Sequence, residues 1–156
     1  MSAVPIVLDS NLLVLFVVGT ASRDYIGRHK RLKAFAVADF QLLIQVLSGA
    51  PEVLLTPNTL TETSNLVGHI DEPARTEIYK VLGNVIARMS EHYVPSRVAI
   101  ARPEFLRLGL TDATLLEPQF QDATLLTTDL HLYLAALQAG RSAFNFNHLR
   151  DASMTR

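Results

Sequence analysis

Short apolar runs alternate along this chain with longer segments in which apolar residues recur at helical spacing. The first of these runs is Val4-Pro5-Ile6-Val7-Leu8, and similar runs occur at residues 53–55, 123–127 and 142–146. A strand without a polar face is expected in a parallel sheet that is covered on both sides. Strands that alternate with helices therefore predict an α/β fold, a three-layer α/β/α sandwich around a mainly parallel central sheet.

The segments between the predicted strands carry helix start and stop signals. Thr56-Pro57 indicates a helix start, with Thr as the cap and Pro at the first helical position, and Gly68 is a plausible end. Residues 74–90 show the most regular apolar stripe in the chain. Further helices are predicted over residues 36–47, 111–117 and 129–139.

Size and composition favour one intracellular domain. The 156 residues suit a single domain, predicted over residues 1–150 with a short tail at 151–156. There is no cysteine, which excludes disulfides, thiolate metal sites and a catalytic thiol. The apolar run at residues 12–18 is shorter than the ~20 residues of a membrane span and follows no basic segment, so we expect neither a span nor a signal peptide. The sequence predicts a cytoplasmic protein in which residues 12–18 form a helix buried on most sides or used in an interface.

Four carboxylates stand where a parallel α/β fold places its ligand sites. Asp9 ends the first apolar run, Asp129 follows residues 123–127, Asp112 opens the segment 111–117, and Glu62 lies on the helix after the second strand. The carboxyl ends of parallel strands share one edge, so residues far apart in sequence can meet there. Four like charges in one cleft are tolerable only with raised pKa values or bound cations. The sequence therefore predicts a divalent-metal site.

Each acid also has a purely structural interpretation. Asp112 and Asp129 stand at helix starts, where carboxylates commonly accept hydrogen bonds from free N–H groups. Asp9 lies in an Asp-Ser-Asn sequence that is ordinary turn chemistry after a strand. Glu62 could be a solvated helix residue, although Leu66 at i+4 turns it toward the body of the protein. These interpretations must all hold independently, whereas one shared site explains the four positions together.

The order and surroundings of the four acids resemble the PIN-domain ribonucleases, in particular the bacterial toxin-like (VapC-type) members. The resemblance spans residues 4 to about 146 and rests on four motifs in order: Leu8-Asp9-Ser10-Asn11-Leu12-Leu13, Thr56-Pro57 through Leu60-Thr61-Glu62, Gly109-Leu110-Thr111-Asp112-Ala113 and Leu125-Leu126-Thr127-Thr128-Asp129. Three features depart from the family pattern. The stretch from residue 19 to residue 50 is long for the compact bacterial members, and the segment after Asn11 is more apolar than usual. The helix after the third motif is not alanine-rich and meets Pro118 early.

The resemblance implies Mg²⁺- or Mn²⁺-dependent cleavage of phosphodiester bonds in RNA. Asp9, Asp112 and Asp129 would hold the metal, directly or through water, because hard cations prefer carboxylate and water oxygens. Glu62 would complete the cluster and orient the attacking water. The side chains able to fix a carboxylate or touch a phosphate are Ser10, Asn11, Thr127 and Thr128.

A basic segment, residues 23–33, is the candidate contact with the RNA backbone. It holds five of the 14 basic side chains in a chain of net charge −1, so it could grip phosphates while the whole protein stays near neutral. Arg28, Lys30 and Arg31 are the predicted substrate contacts, and Tyr25 could stack on a base or simply pack. The alternative for this segment is a solvated loop that leads into a helix.

The resemblance also suggests partners. Many bacterial relatives are toxins that a small antitoxin protein inhibits by inserting into the site, others process RNA, and homodimers occur among them. The apolar residues of segments 12–18 and 74–90 could serve such a dimer or the core.

Three other functions share single features with this sequence. A phosphotransferase of the haloacid-dehalogenase type also begins with Asp after the first strand, but it needs a second Asp where this chain has Asn11. None of the seven glycines forms the Gly-x-Gly-x-x-Gly run of a dinucleotide-binding domain. A PIN-like fold that only binds RNA or protein is the remaining alternative, and metal-dependent hydrolysis would distinguish the two.

Overall fold

The computed structural model describes residues 3–155, and its centre is a sheet of five parallel strands. The strands are β1 (Ile6–Leu8), β2 (Val53–Leu55), β3 (Ser90–Glu91), β4 (Thr124–Thr127) and β5 (Ser142–Asn145). Their order in the sheet is β3-β2-β1-β4-β5, and every neighbouring pair is parallel. The predicted α/β fold with a parallel sheet is therefore confirmed, and the topology is consistent with a PIN-like fold.

Helices connect the strands, because a parallel pair cannot be joined by a tight turn. They are α1 (Ser10–Ala21), α2 (Arg23–Arg28), α3 (Val37–Ser48), α4 (Pro57–Val67), α5 (Ala74–Arg88), α6 (Ser96–Ala99), α7 (Phe105–Leu108), α8 (Leu110–Leu115), α9 (Leu130–Gln138) and α10 (Phe146–Met154). A short 3₁₀ helix, Pro118–Phe120, lies between α8 and β4. Within residues 3–155, no helix is long and apolar enough to cross a membrane.

The strand side chains alternate between two hydrophobic cores, one on each face of the sheet. Leu8 and Leu55 belong to the core built with α1, α3, α4 and α5. Val7, Leu54 and Leu125 belong to the second core, which α8 and α9 cover. Successive side chains of a strand point to opposite faces, so strands buried on both sides have to be apolar at consecutive positions. This is the physical reason for the short apolar runs in the sequence.

Helix α1 is buried on most sides, as its apolar sequence predicted. Its residues Leu12, Leu13 and Leu15 have no exposed surface, and they pack in the first core. Gly19 allows α3 to approach, because a Cβ at this position would lie 2.3 Å from Cδ2 of Phe40. The apolar residues of this helix therefore serve core packing within the monomer.

The start and end of α4 that the sequence predicted are confirmed in the structure. Thr56 caps α4 by accepting a hydrogen bond from the Thr59 N–H at 3.1 Å, and Gly68 follows its last residue. The helix predicted over residues 74–90 ends at Arg88, because residues 90 and 91 pair with β2 as the short edge strand β3. That pairing is a long-range contact that helical periodicity could not show.

The C-terminal helix α10 was not predicted from the sequence, and it continues beyond residue 150. Phe146 at its start is fully buried. Arg150 pairs with Asp39 at 2.8 Å and donates a second hydrogen bond to the backbone oxygen of Ala34 at 2.7 Å. These contacts with the start of α3 hold the helix against the first core, so its stability comes from tertiary packing rather than from local signals.

Candidate active site

The candidate site lies at the carboxyl edge of the sheet, where the strand order reverses. Strands β1 and β4 are neighbours in space, although three helix-containing connections separate them in sequence. Asp9 directly follows β1, and Asp129 is the second residue after β4, so the parallel pairing brings both to one edge. Such a switch point forms the crevice in which open α/β sheets bind ligands.

Asp9 is a buried carboxylate held in one orientation. Its Oδ1 accepts a hydrogen bond from the Ser10 N–H at 2.7 Å, and its Oδ2 accepts one from the Thr127 hydroxyl at 2.6 Å. The side chain is only 5% exposed. Burial raises the pKa of Asp9, the two hydrogen bonds lower it, and the charges of Glu62 and Asp129 raise it further. The protein therefore pre-orients a carboxylate whose charge is costly unless a cation is near.

Thr127 connects Asp9 with Asp129. Its hydroxyl donates to Asp9 and accepts a hydrogen bond from the Asp129 N–H at 2.9 Å. The Asp129 carboxylate in turn caps α9 by accepting a hydrogen bond from the Leu132 N–H at 3.0 Å. Asp129 thus has the capping role of its structural interpretation, and Asp9, which was interpreted as a turn residue, caps α1. The two acids also lie beside each other at the switch point.

Asp112 reaches the same site from helix α8. It is the third residue of α8, whose cap is Gly109, so it does not cap this helix itself. Gly109 has a φ of 86°, a conformation that favours glycine and permits the sharp turn from α7 into α8. The pKa of Asp112 is raised from 3.8 to about 7, first by burial and then by the charges of Asp9, Asp129 and Glu62. Repulsion from all three acids shows that Asp112 lies among them.

Glu62 is the exposed member of the group. It lies on α4 and lines a cleft of about 440 Å³, together with Thr111, the neighbour of Asp112. The other residues that line this cleft are Pro57, Asn58, Thr61, Asn65, Tyr93, Val94 and Ser96. The cleft therefore joins the acidic group to solvent.

The four acids influence one another electrostatically, but their side chains do not form a closed metal cage. Across residues 3–155, no three carboxylate or imidazole groups have the arrangement that would hold an ion jointly. Ser10 carries a buried hydroxyl without a hydrogen-bond partner next to Asp9. Hard oxygen donors, mutual repulsion and an unpartnered hydroxyl fit a hydrated divalent cation such as Mg²⁺, which keeps several water ligands and needs only one or two carboxylates.

The other residues named for this site lie in different environments. Asn11 is exposed on the first turn of α1, and the Thr128 carbonyl accepts a 3.4 Å hydrogen bond from Asn147. Thr127 is thus the side chain that the structure connects most closely to the acids.

The structure places the basic segment apart from the acidic group. His29 donates from Nε2 to the Val67 carbonyl at 2.9 Å, and Arg31 donates from Nε to Nδ1 of His69 at 3.2 Å. Both partners lie at the C-terminal end of α4, whereas the cleft is lined by residues 57–65 of this helix. Arg28 and Lys30 are exposed there, so they could meet only a part of the substrate that lies beyond the cleft.

Tyr25 is engaged within the protein. Its hydroxyl donates to Glu77, and the Arg28 guanidinium lies 5.3 Å from the centre of its ring. The residues from 23 to 28 form helix α2, where a loop leading into a helix was predicted.

Sequence reasoning missed the wall of the cleft opposite α4. Tyr93 lies there, between β3 and α6, together with Ser96, the first residue of α6. No motif marks them, and the one local signal is Pro95, which breaks the chain into short elements.

No protein-family model matches the sequence, and no curated protein matches it either. Among solved structures, the chain is similar to a domain of a functionally unknown protein from Methanocaldococcus jannaschii DSM 2661. The two are 16% identical, the match covers 92% of this chain and 91% of that chain, and the TM-score is 0.45. This match assigns the chain to no family.

Proposed function

We propose that this protein is a metal-dependent endoribonuclease of the PIN type. The observation that carries the proposal is the meeting of Asp9 and Asp129 at the switch point, where both hydrogen-bond to the Thr127 hydroxyl. The charges of these two acids and of Glu62 act on Asp112 and, after burial, raise its pKa to about 7. These four acids come from four separate elements, α1, α4, α8 and α9 or their caps. A fold that gathers four like charges at one end of a sheet loses stability unless the charges serve a cation.

Mg²⁺ or Mn²⁺ suits the donor set, with Asp9, Asp112 and Asp129 as the residues that would hold the ion, partly through water. A divalent cation there would neutralise the carboxylates, polarise a phosphoryl oxygen and acidify nearby water. Asp9 supplies the fixed anchor, because two hydrogen bonds determine the direction of its oxygens. Thr127 links the anchor to Asp129, so the two ligands keep their relative position.

Glu62 is suited to orient the attacking water. It is exposed on the wall of the cleft and is the acid in this group with free access to solvent. In the proposed step, a water molecule loses a proton to the solvent as its oxygen forms a bond to phosphorus, the bond from phosphorus to the leaving ribose oxygen breaks, and the leaving oxygen takes a proton from the solvent. Cleavage of RNA by this route needs no residue outside the group of four and its cation.

The experiment is RNA cleavage by the purified protein with Mg²⁺, with Mn²⁺ and with chelator. Asp112→Asn is the test variant, and Asp122→Asn is the matched control, because Asp122 is exposed in a turn away from the site. We expect cleavage that requires the metal, is lost in the first variant and is unchanged in the second. Cleavage retained by Asp112→Asn, with both variants folded, would refute the assignment.

A non-catalytic RNA- or protein-binding module is the second candidate. The observation in its favour is the open cleft beside Glu62, which is lined mainly by uncharged polar side chains and by the exposed Tyr93. RNA binding without metal-dependent cleavage, by folded protein in Mg²⁺ and in Mn²⁺, would support this function instead.

The cellular role and the partners belong to the same proposal. A toxin would arrest growth when expressed alone and be relieved by a small antitoxin, whereas a processing enzyme would do neither. The predicted homodimer is tested by the mass of the protein in solution. Arg28, Lys30 and Arg31 would contribute to the salt dependence of binding to longer RNA.

A further inference from the structure

The cleft beside Glu62 has the chemistry of a site for a neutral, planar group. Its volume, about 440 Å³, lies within the ~300–1,000 Å³ of typical small-molecule sites. The polar groups that line it are mostly uncharged, from Asn58, Asn65 and Ser96, and its one charged residue is the acidic Glu62. A phosphate would find no cation among these lining residues. Amide and carboxylate groups instead match the donor and acceptor pattern of a nucleobase edge.

Tyr93 supplies an aromatic face at the rim of this cleft. Its residue surface is 72% exposed, which is a large apolar area to leave in water. The backbone that carries it is fixed on both sides: the His92 N–H donates to the Leu55 carbonyl at 2.7 Å, and Val94 is buried in the second core. An exposed ring on an anchored backbone is a platform on which a base can stack at little cost in ordering.

We propose that this cleft binds one unpaired base of the RNA, with Tyr93 stacking on its face and Asn58 and Asn65 hydrogen-bonding to its edge. The inference rests on the proposed ribonuclease function and adds to it a base subsite formed by Tyr93, Asn58 and Asn65. A paired base cannot enter, because its face is stacked and its edge is already hydrogen-bonded. The base in the cleft would place an adjacent phosphate beside Glu62 and Asp112.

The test is RNA binding measured by fluorescence anisotropy in Mg²⁺, with Asp112→Asn as the background so that no strand is cut. A single-stranded oligonucleotide and a duplex of the same sequence are compared. In this background, Tyr93→Ala should weaken single-strand binding about 5- to 150-fold, the range that removal of a stacking side chain gives. Tyr93→Phe, which keeps the ring, should remain near the parent. Phe144→Ala removes an aromatic residue that is 57% exposed at the β5 edge and should leave binding unchanged.

The outcomes separate the subsite from the catalytic proposal. Equal binding of duplex and single strand, or an unchanged affinity in Tyr93→Ala, overturns the subsite even if the wild-type protein cuts RNA. Loss of binding in Tyr93→Ala but not in Tyr93→Phe supports the subsite, even if the wild-type protein proves unable to cut. In an active enzyme, Tyr93→Ala should also raise KM for single-stranded RNA more than it lowers kcat.

Discussion

Replacing Asp112 by Asn should stabilise the metal-free protein. The pKa of this carboxyl is raised from 3.8 to about 7 by burial and by three neighbouring acids. Above pH 7 the folded protein must keep the group ionised in that environment, whereas the unfolded chain ionises it freely. The difference corresponds to at most about 4 kcal/mol of the free energy of unfolding, at about 1.36 kcal/mol per pH unit. Because Asp112 is only partly buried, water screens the charge, and we expect a smaller gain.

The direction of the pH dependence follows from the raised pKa. Below pH 3.8 the Asp112 carboxyl is mostly neutral in both the folded and the unfolded protein, so it does not lower the free energy of unfolding. As the pH rises from 3.8 to about 7, the unfolded chain releases the proton first, so the folded protein loses stability, and the loss is complete above pH 7. Asn stays neutral at every pH. The variant should therefore exceed the wild type in free energy of unfolding by a large amount at pH 8 and by a clearly smaller amount at pH 5.

Thermal unfolding in chelator, followed by circular dichroism at pH 5 and pH 8, measures this effect. We expect Asp112→Asn to melt several degrees above the wild type at pH 8, since about 1 kcal/mol shifts Tm by ~2–4 °C in a chain of this size. Asp122→Asn should melt with the wild type. Added Mg²⁺ should narrow the gap, because the cation stabilises the wild type more. A variant no more stable than the wild type at pH 8, or a gain of equal size at both pH values, would refute the reasoning.

Three further substitutions test the packing and the hydrogen bonds. Thr127→Val removes the hydrogen bond to buried Asp9 and should cost about 1–3 kcal/mol in urea unfolding at neutral pH, whereas Thr127→Ser should restore most of it. Gly19→Ala should destabilise the protein by about 1–3 kcal/mol, because the new Cβ would overlap the Phe40 ring. Gly83→Ala is the control and should be neutral or stabilising, because a Cβ at that position meets open space. Equal effects of the two substitutions would contradict this packing. Burial lowers the pKa of His29, whose neutral ring donates a hydrogen bond to the Val67 carbonyl and accepts one from the Arg31 N–H. The stability of the protein should therefore fall as the pH drops below 6.5. A His29→Gln variant whose Tm changes with pH as steeply as that of the wild type would exclude His29 as the cause.

Much of the fold could be predicted from local sequence, because its signals act over a few residues. The apolar runs of β1 and β2 reflect burial on both faces, and Thr56-Pro57 and Gly68 mark the two ends of α4. The same local signals failed for β3, which is two residues long and exists through its pairing with β2. They failed also for α10, which Arg150 and buried Phe146 hold in place.

The acids of the candidate site could be named from the sequence, since Asp9 and Asp129 follow strands and a parallel sheet puts the ends of its strands at one edge. Their effect on one another's pKa could not be predicted, because charge repulsion and burial depend on the distances between residues that are 17 to 120 positions apart in the sequence. Only the tertiary structure shows that Glu62 and Tyr93 line the same cleft. It also shows that the basic segment lies at the other end of α4, where His29 contacts Val67. Local sequence determines which elements form and what chemistry they carry. Packing across the chain decides which of these groups meet, because both electrostatic interaction and desolvation depend on the environment that the whole fold creates.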